Sequence, residues 1–62
     1  MTIDYLKSEI DLAFKFLGAE KGFEQNVTDI KDWKEKGIVN EEEYHELRKY
    51  NRVTYYNLPL DA

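Results

Sequence analysis

The stretch Gly37–Tyr50, "GIVNEEEYHELRKY", ends one helix and begins another. Gly37 suits the left-handed conformation at the C′ position that terminates a helix, and Ile38 follows at C″. Asn40 is a good N-cap. Glu43, three residues later, can return a hydrogen bond to the Asn40 amide in a variant of the capping box. These local signals predict a helical hairpin around Gly37–Asn40.

The helix that follows this joint is marked at both ends. Acidic residues at positions 41–43 complement the positive end of the helix dipole, and basic residues at positions 48–49 suit its negative end. Val39 at N′ can contact Tyr44 at N4 as a hydrophobic staple. We therefore predict a helix from about Glu41 to Tyr50. The alternative is that it continues to about Tyr56, since no strong stop comes earlier.

Upstream of the joint, apolar residues at three- and four-residue spacing predict two more helices. The first begins after Thr2 as N-cap and ends at Gly18. The second ends at Gly37 and begins either near Glu20 or only near Thr28. Its interior glycine at position 22 disfavours the earlier start. The two apolar sets are Ile3, Leu6, Ile10, Ala13, Phe14 and Leu17, and Phe23, Val27, Ile30 and Trp33.

The first helix carries a second apolar stripe, formed by Tyr5, Leu12 and Phe16. It is offset from the first stripe by roughly 130°, since each residue turns a helix by about 100°. A helix that is apolar on two sides needs neighbours on two sides. The second stripe therefore predicts dimerisation.

The C-terminal residues 51–62 differ in character from the rest. Val53, Tyr55 and Tyr56 favour an extended chain, and Leu58 precedes Pro59, which disfavours helical backbone at Leu58. We predict a small all-α domain of three helices in residues 1–50. Residues 51–62 would form a Tyr/Leu-rich tail that is extended or partly helical.

Composition limits the classes of function. A chain of 62 residues buries only about 60% of its unfolded surface, and with no Cys and one His a structural zinc site is not expected. The net charge of −4 disfavours direct nucleic-acid binding. No apolar run is long enough for a membrane span, and the acidic start does not suit a signal peptide. We expect a cytoplasmic protein without cofactor or metal.

Other roles for the joint and its neighbours are less consistent with the residues. A DNA-binding helix–turn–helix generally has a small residue four before the turn glycine, whereas this chain has Trp33. Its second helix would also present Glu41 to the phosphates. His45 lies one turn after Glu41 and could be imagined in metal binding or acid–base chemistry, but an exposed position on a polar helix face explains it better.

The run Ile30–Tyr44, "IKDWKEKGIVNEEEY", resembles the SHOCT short helical domain. The shared pattern is a helix, a glycine, two aliphatic residues, a cap, then acidic residues and an aromatic. Asn40 stands where a Thr is usual. Similar runs occur in short phage-encoded proteins. The resemblance implies a small oligomerising or partner-binding helical module with no catalytic residues.

These observations predict a non-enzymatic protein–protein interaction module that regulates or assembles another protein and forms a homodimer. Tyrosine is favoured where one end of a side chain is buried and the other stays wet. The alternative is an acidic inhibitor that mimics nucleic acid on the basic groove of another protein. The expected contact residues are Trp33, Tyr44, Tyr50, Tyr55, Tyr56, Leu58 and Leu60.

Overall fold

The computed structural model describes residues 2–58, which form a bundle of three helices. They are α1 (Ile3–Leu17), α2 (Ala19–Glu35) and α3 (Glu41–Asn57), and no strand occurs in residues 2–58. All three helices contact one another. The predicted all-α, three-helix fold is therefore confirmed.

The ends of α1 are those that the sequence predicts. The Thr2 hydroxyl accepts a hydrogen bond from the Tyr5 amide at 3.3 Å, which caps the first turn. Gly18 has φ 89° and is both the C-cap of α1 and the N-cap of α2. Because one glycine with positive φ makes the whole connection, α2 must turn back directly along α1.

The joint between α2 and α3 has the predicted capping chemistry. The Ile38 amide donates to the Trp33 carbonyl at 2.8 Å and the Gly37 amide to the Lys34 carbonyl at 3.1 Å, which is a Schellman motif with φ 76° at Gly37. In the capping box, the Glu43 amide donates to the Asn40 side chain at 2.8 Å. The Asn40 amide donates back to the Glu43 carboxylate at 2.9 Å. Both motifs are local and hold the two helix ends together.

The C-terminal end of α3 lies later than our first prediction. The helix runs to Asn57, so the end at Tyr50 is wrong and the alternative that it continues to about Tyr56 is confirmed. Tyr55 and Leu58 pack against the core, and this burial outweighs the strand preference of the region. Leu58 itself is extended, with ψ 144°, as expected before proline. Residues 59–62 lie outside the described residues.

α2 begins at Ala19, close to the earlier of the two predicted starts. Gly22 therefore lies inside the helix, where it has a packing role. A Cβ atom at Gly22 would lie 2.8 Å from the Phe14 Cα and 2.9 Å from the Ala13 carbonyl oxygen. The backbones of α1 and α2 therefore approach too closely for any side chain at this point. Glycine has a low helix propensity, but at this position it is the residue that allows the contact between the two backbones.

We expect Gly22→Ala to destabilise the protein, although alanine is the better helix former by roughly 1 kcal/mol. The added methyl group meets backbone atoms that cannot rotate away, and overpacking of this kind costs about 1–3 kcal/mol. Thermal unfolding should show a melting temperature several degrees lower. Lys21→Ala, at an exposed neighbouring position, is the control and should change stability little. An unchanged or raised melting temperature in Gly22→Ala would contradict the close approach.

The core contains a polar pair among its apolar side chains. Asn26 of α2 and Asn51 of α3 are each 1% exposed. The Asn26 amide nitrogen donates to the Asn51 side-chain oxygen at 3.0 Å and to the Ile10 carbonyl of α1 at 3.1 Å. The Asn51 amide nitrogen faces the Phe23 carbonyl at 3.4 Å. This pair joins all three helices amid the buried apolar set of Leu6, Ile10, Phe14, Ile30, Val39 and Leu47.

A double-mutant cycle tests the Asn26–Asn51 pair. Asn26→Ala and Asn51→Ala should each lower the free energy of unfolding by about 1–3 kcal/mol, because each leaves a buried amide without its partner. The double variant should lose less than the sum, with a coupling of about 1 kcal/mol. Asn57→Ala, at the exposed end of α3, is the control. Additive losses in urea denaturation would show that the pair does not act as a unit.

Candidate interaction surfaces

The structure places most of the predicted contact residues partly inside the bundle. Five of them are half-buried and pack against the core: Trp33, Tyr44, Tyr50, Tyr55 and Leu58. Tyr56 is 74% exposed, and Leu60 lies outside the described residues. Their part in binding a partner stays a prediction. The half-buried members therefore have a structural role in addition to their predicted role in binding.

Tyr55 shows how such a residue is used internally. Its ring centroid lies 4.8 Å from that of Phe23 and 6.5 Å from that of Phe14, so it joins the C-terminal end of α3 to α1 and α2. The ring centroid of Tyr56, the next residue, lies 5.7 Å from that of Tyr55 with the two rings tilted at 55°, and Tyr56 faces solvent. Tyr56 is the member of this aromatic group that has most of its surface free for contact with another molecule.

Polar contacts align α1 with α3. The Tyr50 hydroxyl group donates to the Asp11 carboxylate, at 2.9 and 3.0 Å to its two oxygens, and Lys7 pairs with Glu46 at 2.9 Å. Both contacts join residues 39 apart in sequence, so the two helices run parallel in one register. Burial raises the pKa of Tyr50 above its ordinary value, and the hydrogen bond to Asp11 raises it further.

Stability should fall at alkaline pH because of Tyr50. A raised pKa in the folded state means that the stabilisation is fully present below the unfolded pKa of about 10 and is lost as pH rises through the folded value. Tyr50→Phe should lose about 1 kcal/mol at neutral pH and show a smaller further loss above pH ~10 than the wild type. Tyr56→Phe, at an exposed position on α3, should behave as the wild type in urea denaturation at both pH values. Equal alkaline losses in all three proteins would exclude this role for Tyr50.

The outer stripe of α1 consists of Tyr5, Leu12 and Phe16, which are 52%, 44% and 74% exposed. The buried residues of the same helix, such as Ile10, face α2 and α3 on the other side. The Lys15 ammonium lies 5.8 Å from the Phe16 ring centroid. This stripe is the one that the sequence singled out, and nothing in residues 2–58 covers it.

The α2–α3 groove is a second surface, and it combines an apolar floor with positive charge. Its volume is about 260 Å³. The Arg48 guanidinium group lies 5.6 Å from the Tyr44 ring centroid, and the Lys34 ammonium lies 5.9 Å from it. The lining residues are Phe23, Val27, Ile30, Lys31, Tyr44, Arg48, Asn51 and Arg52.

This groove was not predicted from the sequence, because the net charge of the whole chain does not show where the basic residues cluster. A signal was present: Arg48 and Arg52 are one turn apart on α3, and so share a face that Tyr44 extends. The corresponding signal for the buried amides was Asn26 within the apolar set of α2. Polar residues in a stripe of apolar spacing are candidates for buried pairs.

His45 takes part in a surface contact. Its Nε2 atom lies 2.9 Å from the Glu41 carboxylate, which also pairs with Lys34 at 3.3 Å. The hydrogen bond from Lys34, and then that from His45, lowers the pKa of Glu41. All of these groups are exposed or half-exposed, and no group of three or more His, Asp or Glu side chains in residues 2–58 could hold a metal ion.

Comparison with protein-family models, with curated proteins and with solved structures found no match. The resemblance of residues 30–44 to the SHOCT domain therefore stays a prediction from the motif. None of the helices described here is long and apolar enough to cross a membrane.

Proposed function

We propose that this protein is a non-enzymatic interaction module of the cytoplasm that forms a homodimer through the outer stripe of α1 and binds another protein. The observation that carries the proposal is the outer stripe itself, with Tyr5, Leu12 and Phe16 exposed on the face opposite the core. An apolar stripe adds nothing to the stability of the monomer when it faces water. Covering it gains about 25 cal/mol for each Å² removed from solvent.

A second copy of the chain suits this stripe. Two copies of α1 that pair antiparallel about a twofold axis bring Phe16 of one copy against Tyr5 of the other, since an isologous interface repeats each contact. Asp4 and Lys15 lie on the same flank of the stripe at opposite ends of the helix. The same pairing therefore brings Asp4 of one copy near Lys15 of the other. The charges at the margin then favour the antiparallel arrangement.

The size of the stripe limits the strength of the dimer. Stable interfaces bury about 800 Å² on each partner, and an aromatic side chain buries roughly 150–250 Å². Two aromatic residues and a leucine supply less than the usual area. We therefore expect a reversible dimer whose population depends on concentration.

Sedimentation equilibrium over a wide concentration range tests the dimer. Phe16→Ser should weaken self-association about tenfold or more, because burying a side chain of this size is worth about 1.5–3 kcal/mol. Tyr56→Ser is the matched control, since Tyr56 is an aromatic residue with the same exposure on α3. We expect it to associate as the wild type does.

Two outcomes would contradict the proposed dimer surface. A wild-type chain that stays monomeric at every concentration would exclude self-association. A dimer that is lost with Tyr56→Ser and kept with Phe16→Ser would place the interface at the C-terminal end of α3 and not on the outer stripe of α1. Circular dichroism of each variant establishes that the helices are intact.

A further inference from the structure

The α2–α3 groove holds cations that the described chain leaves without acidic partners. Lys31, Arg48 and Arg52 line it, and none of them forms an ion pair within residues 2–58. Lys34, at the edge of the groove, is paired with Glu41. The whole chain has a net charge of −4, whereas these three cations give this concave surface a local positive charge.

The floor between these cations is apolar. Ile30 is buried beneath it, Phe23 is half-buried and Val27 is 47% exposed. Arg48 lies against the face of Tyr44, which restrains the guanidinium group before any ligand arrives. The groove thus offers fixed positive charge and an apolar contact to the same ligand.

We propose that the α2–α3 groove binds a short acidic peptide segment of a partner protein. Two carboxylates of the segment pair with Arg48 and Arg52, and an apolar side chain rests on Phe23 and Val27. Arginine binds carboxylates through two parallel hydrogen bonds, which gives such pairs both strength and orientation. The groove volume of about 260 Å³ is below the usual range of small-molecule pockets, so the groove holds the ends of a few side chains and not a whole bulky ligand.

The spacing of the arginines indicates the form of the peptide. Arg48 and Arg52 are one helical turn apart, or about 6 Å along α3. Carboxylates two residues apart in an extended chain are separated by about 6.6–6.8 Å. Phe23 lies on α2 beyond Arg52, since it contacts Tyr55, and Val27 lies one turn away, next to Asn26 and so level with Asn51. The expected pattern is acidic residue, any residue, acidic residue, any residue, apolar residue.

A nucleic acid fits this surface less well, although it too is an anion. A continuous phosphate chain leaving the groove at its Tyr44 end would approach Glu41, Glu42 and Glu43 in the first turn of α3. Three cations also supply few of the phosphate contacts on which nonspecific affinity depends. A short peptide ends before it reaches the glutamates, so the charge pattern favours a peptide.

The acidic segment would belong to the protein partner proposed above, and its binding rests on that part of the proposed function but does not depend on the homodimer. The outer stripe of α1 faces away from the core, and the groove lies between the other two helices. A ligand in the groove therefore leaves the outer stripe free. If both surfaces are occupied, a dimer presents two grooves and binds a partner with repeated acidic segments more tightly than a monomer does.

The test is a titration of the full chain, labelled with nitrogen-15 for NMR, with the blocked peptide Glu-Ser-Asp-Ser-Phe. We expect amide shifts around Lys31, Arg48 and Arg52 that saturate. The peptide Gln-Ser-Asn-Ser-Phe should bind at least about tenfold more weakly, since it lacks both charges. The acidic peptide with serine in place of its phenylalanine should also bind more weakly than Glu-Ser-Asp-Ser-Phe.

Charge-matched variants locate the site. Arg48→Gln and Arg52→Gln should each weaken binding of the acidic peptide about threefold to tenfold, as expected for partly exposed ion pairs. Lys21→Gln on α2 and Lys49→Gln on α3 remove the same charge outside the groove and should change affinity less than about twofold. Arg52→Lys keeps the positive charge but cannot form the two parallel hydrogen bonds of a guanidinium group, and should give an intermediate affinity.

Several results would overturn the proposal. These are the absence of saturable shifts, equal binding of the neutral peptide, or equal losses in the Lys21→Gln and Lys49→Gln controls. A short single-stranded oligothymidylate that binds more tightly and depends on Arg48 and Arg52 would make the groove a nucleic-acid site instead. The amide spectrum of each variant without peptide shows whether the fold is retained, and sedimentation data on the same variants test the dimer separately.

Discussion

The close approach of α1 and α2 at Gly22 is the constraint on which the rest of the structure depends. No side chain fits between the two backbones there, because a Cβ would lie 2.8 Å from the Phe14 Cα. Asn26 follows one turn later on the same face of α2 and reaches the Ile10 carbonyl, itself one turn before Phe14. The glycine and the amide therefore fix a single register between the helices. A shift of one residue would bring a side chain against backbone and leave the amide unpaired.

The same register decides where α3 lies. Asn51 must meet Asn26 at 3.0 Å, and this contact places Leu47 and Tyr55, one turn to either side, against the core. Polar contacts between α1 and α3 then repeat at a constant sequence separation. Buried polar pairs add little net stability compared with apolar side chains of the same shape, but they are restrictive about geometry. The pair accordingly specifies one arrangement in a core that, within residues 2–58, has six buried apolar side chains.

Two surfaces remain once the three helices are placed, and they differ in chemistry. The outer stripe of α1 is apolar and has nothing to bind within the described chain, whereas the α2–α3 groove is cationic around an apolar floor. The acidic net charge of the chain does not show this difference between the two surfaces. Surface potential depends on the distribution of charge, so a protein with net charge −4 can still present a local site for anions. Both surfaces suit binding between proteins, which is why we favour an interaction module.

The sequence by itself determined the features that depend on neighbouring residues. The cap at Thr2, the stop at Gly18, the Schellman motif at Gly37 and the capping box at Asn40 are set by hydrogen bonds within a few residues. The outer stripe of α1 was also visible, because helical periodicity alone places Tyr5, Leu12 and Phe16 on one face.

Only the tertiary structure decided the remaining features, since each depends on which residues meet across helices. Gly22 was expected to disfavour helix at its position, but it lies inside α2 at a point where the backbones of α1 and α2 come close together. Asn51 stood at the start of the predicted tail, yet it is buried in the core with Asn26 as its partner. The basic groove exists because the register of α2 with α3 brings Lys31 beside Arg48 and Arg52. Local sequence has no information on such distances, which are fixed when the helices pack.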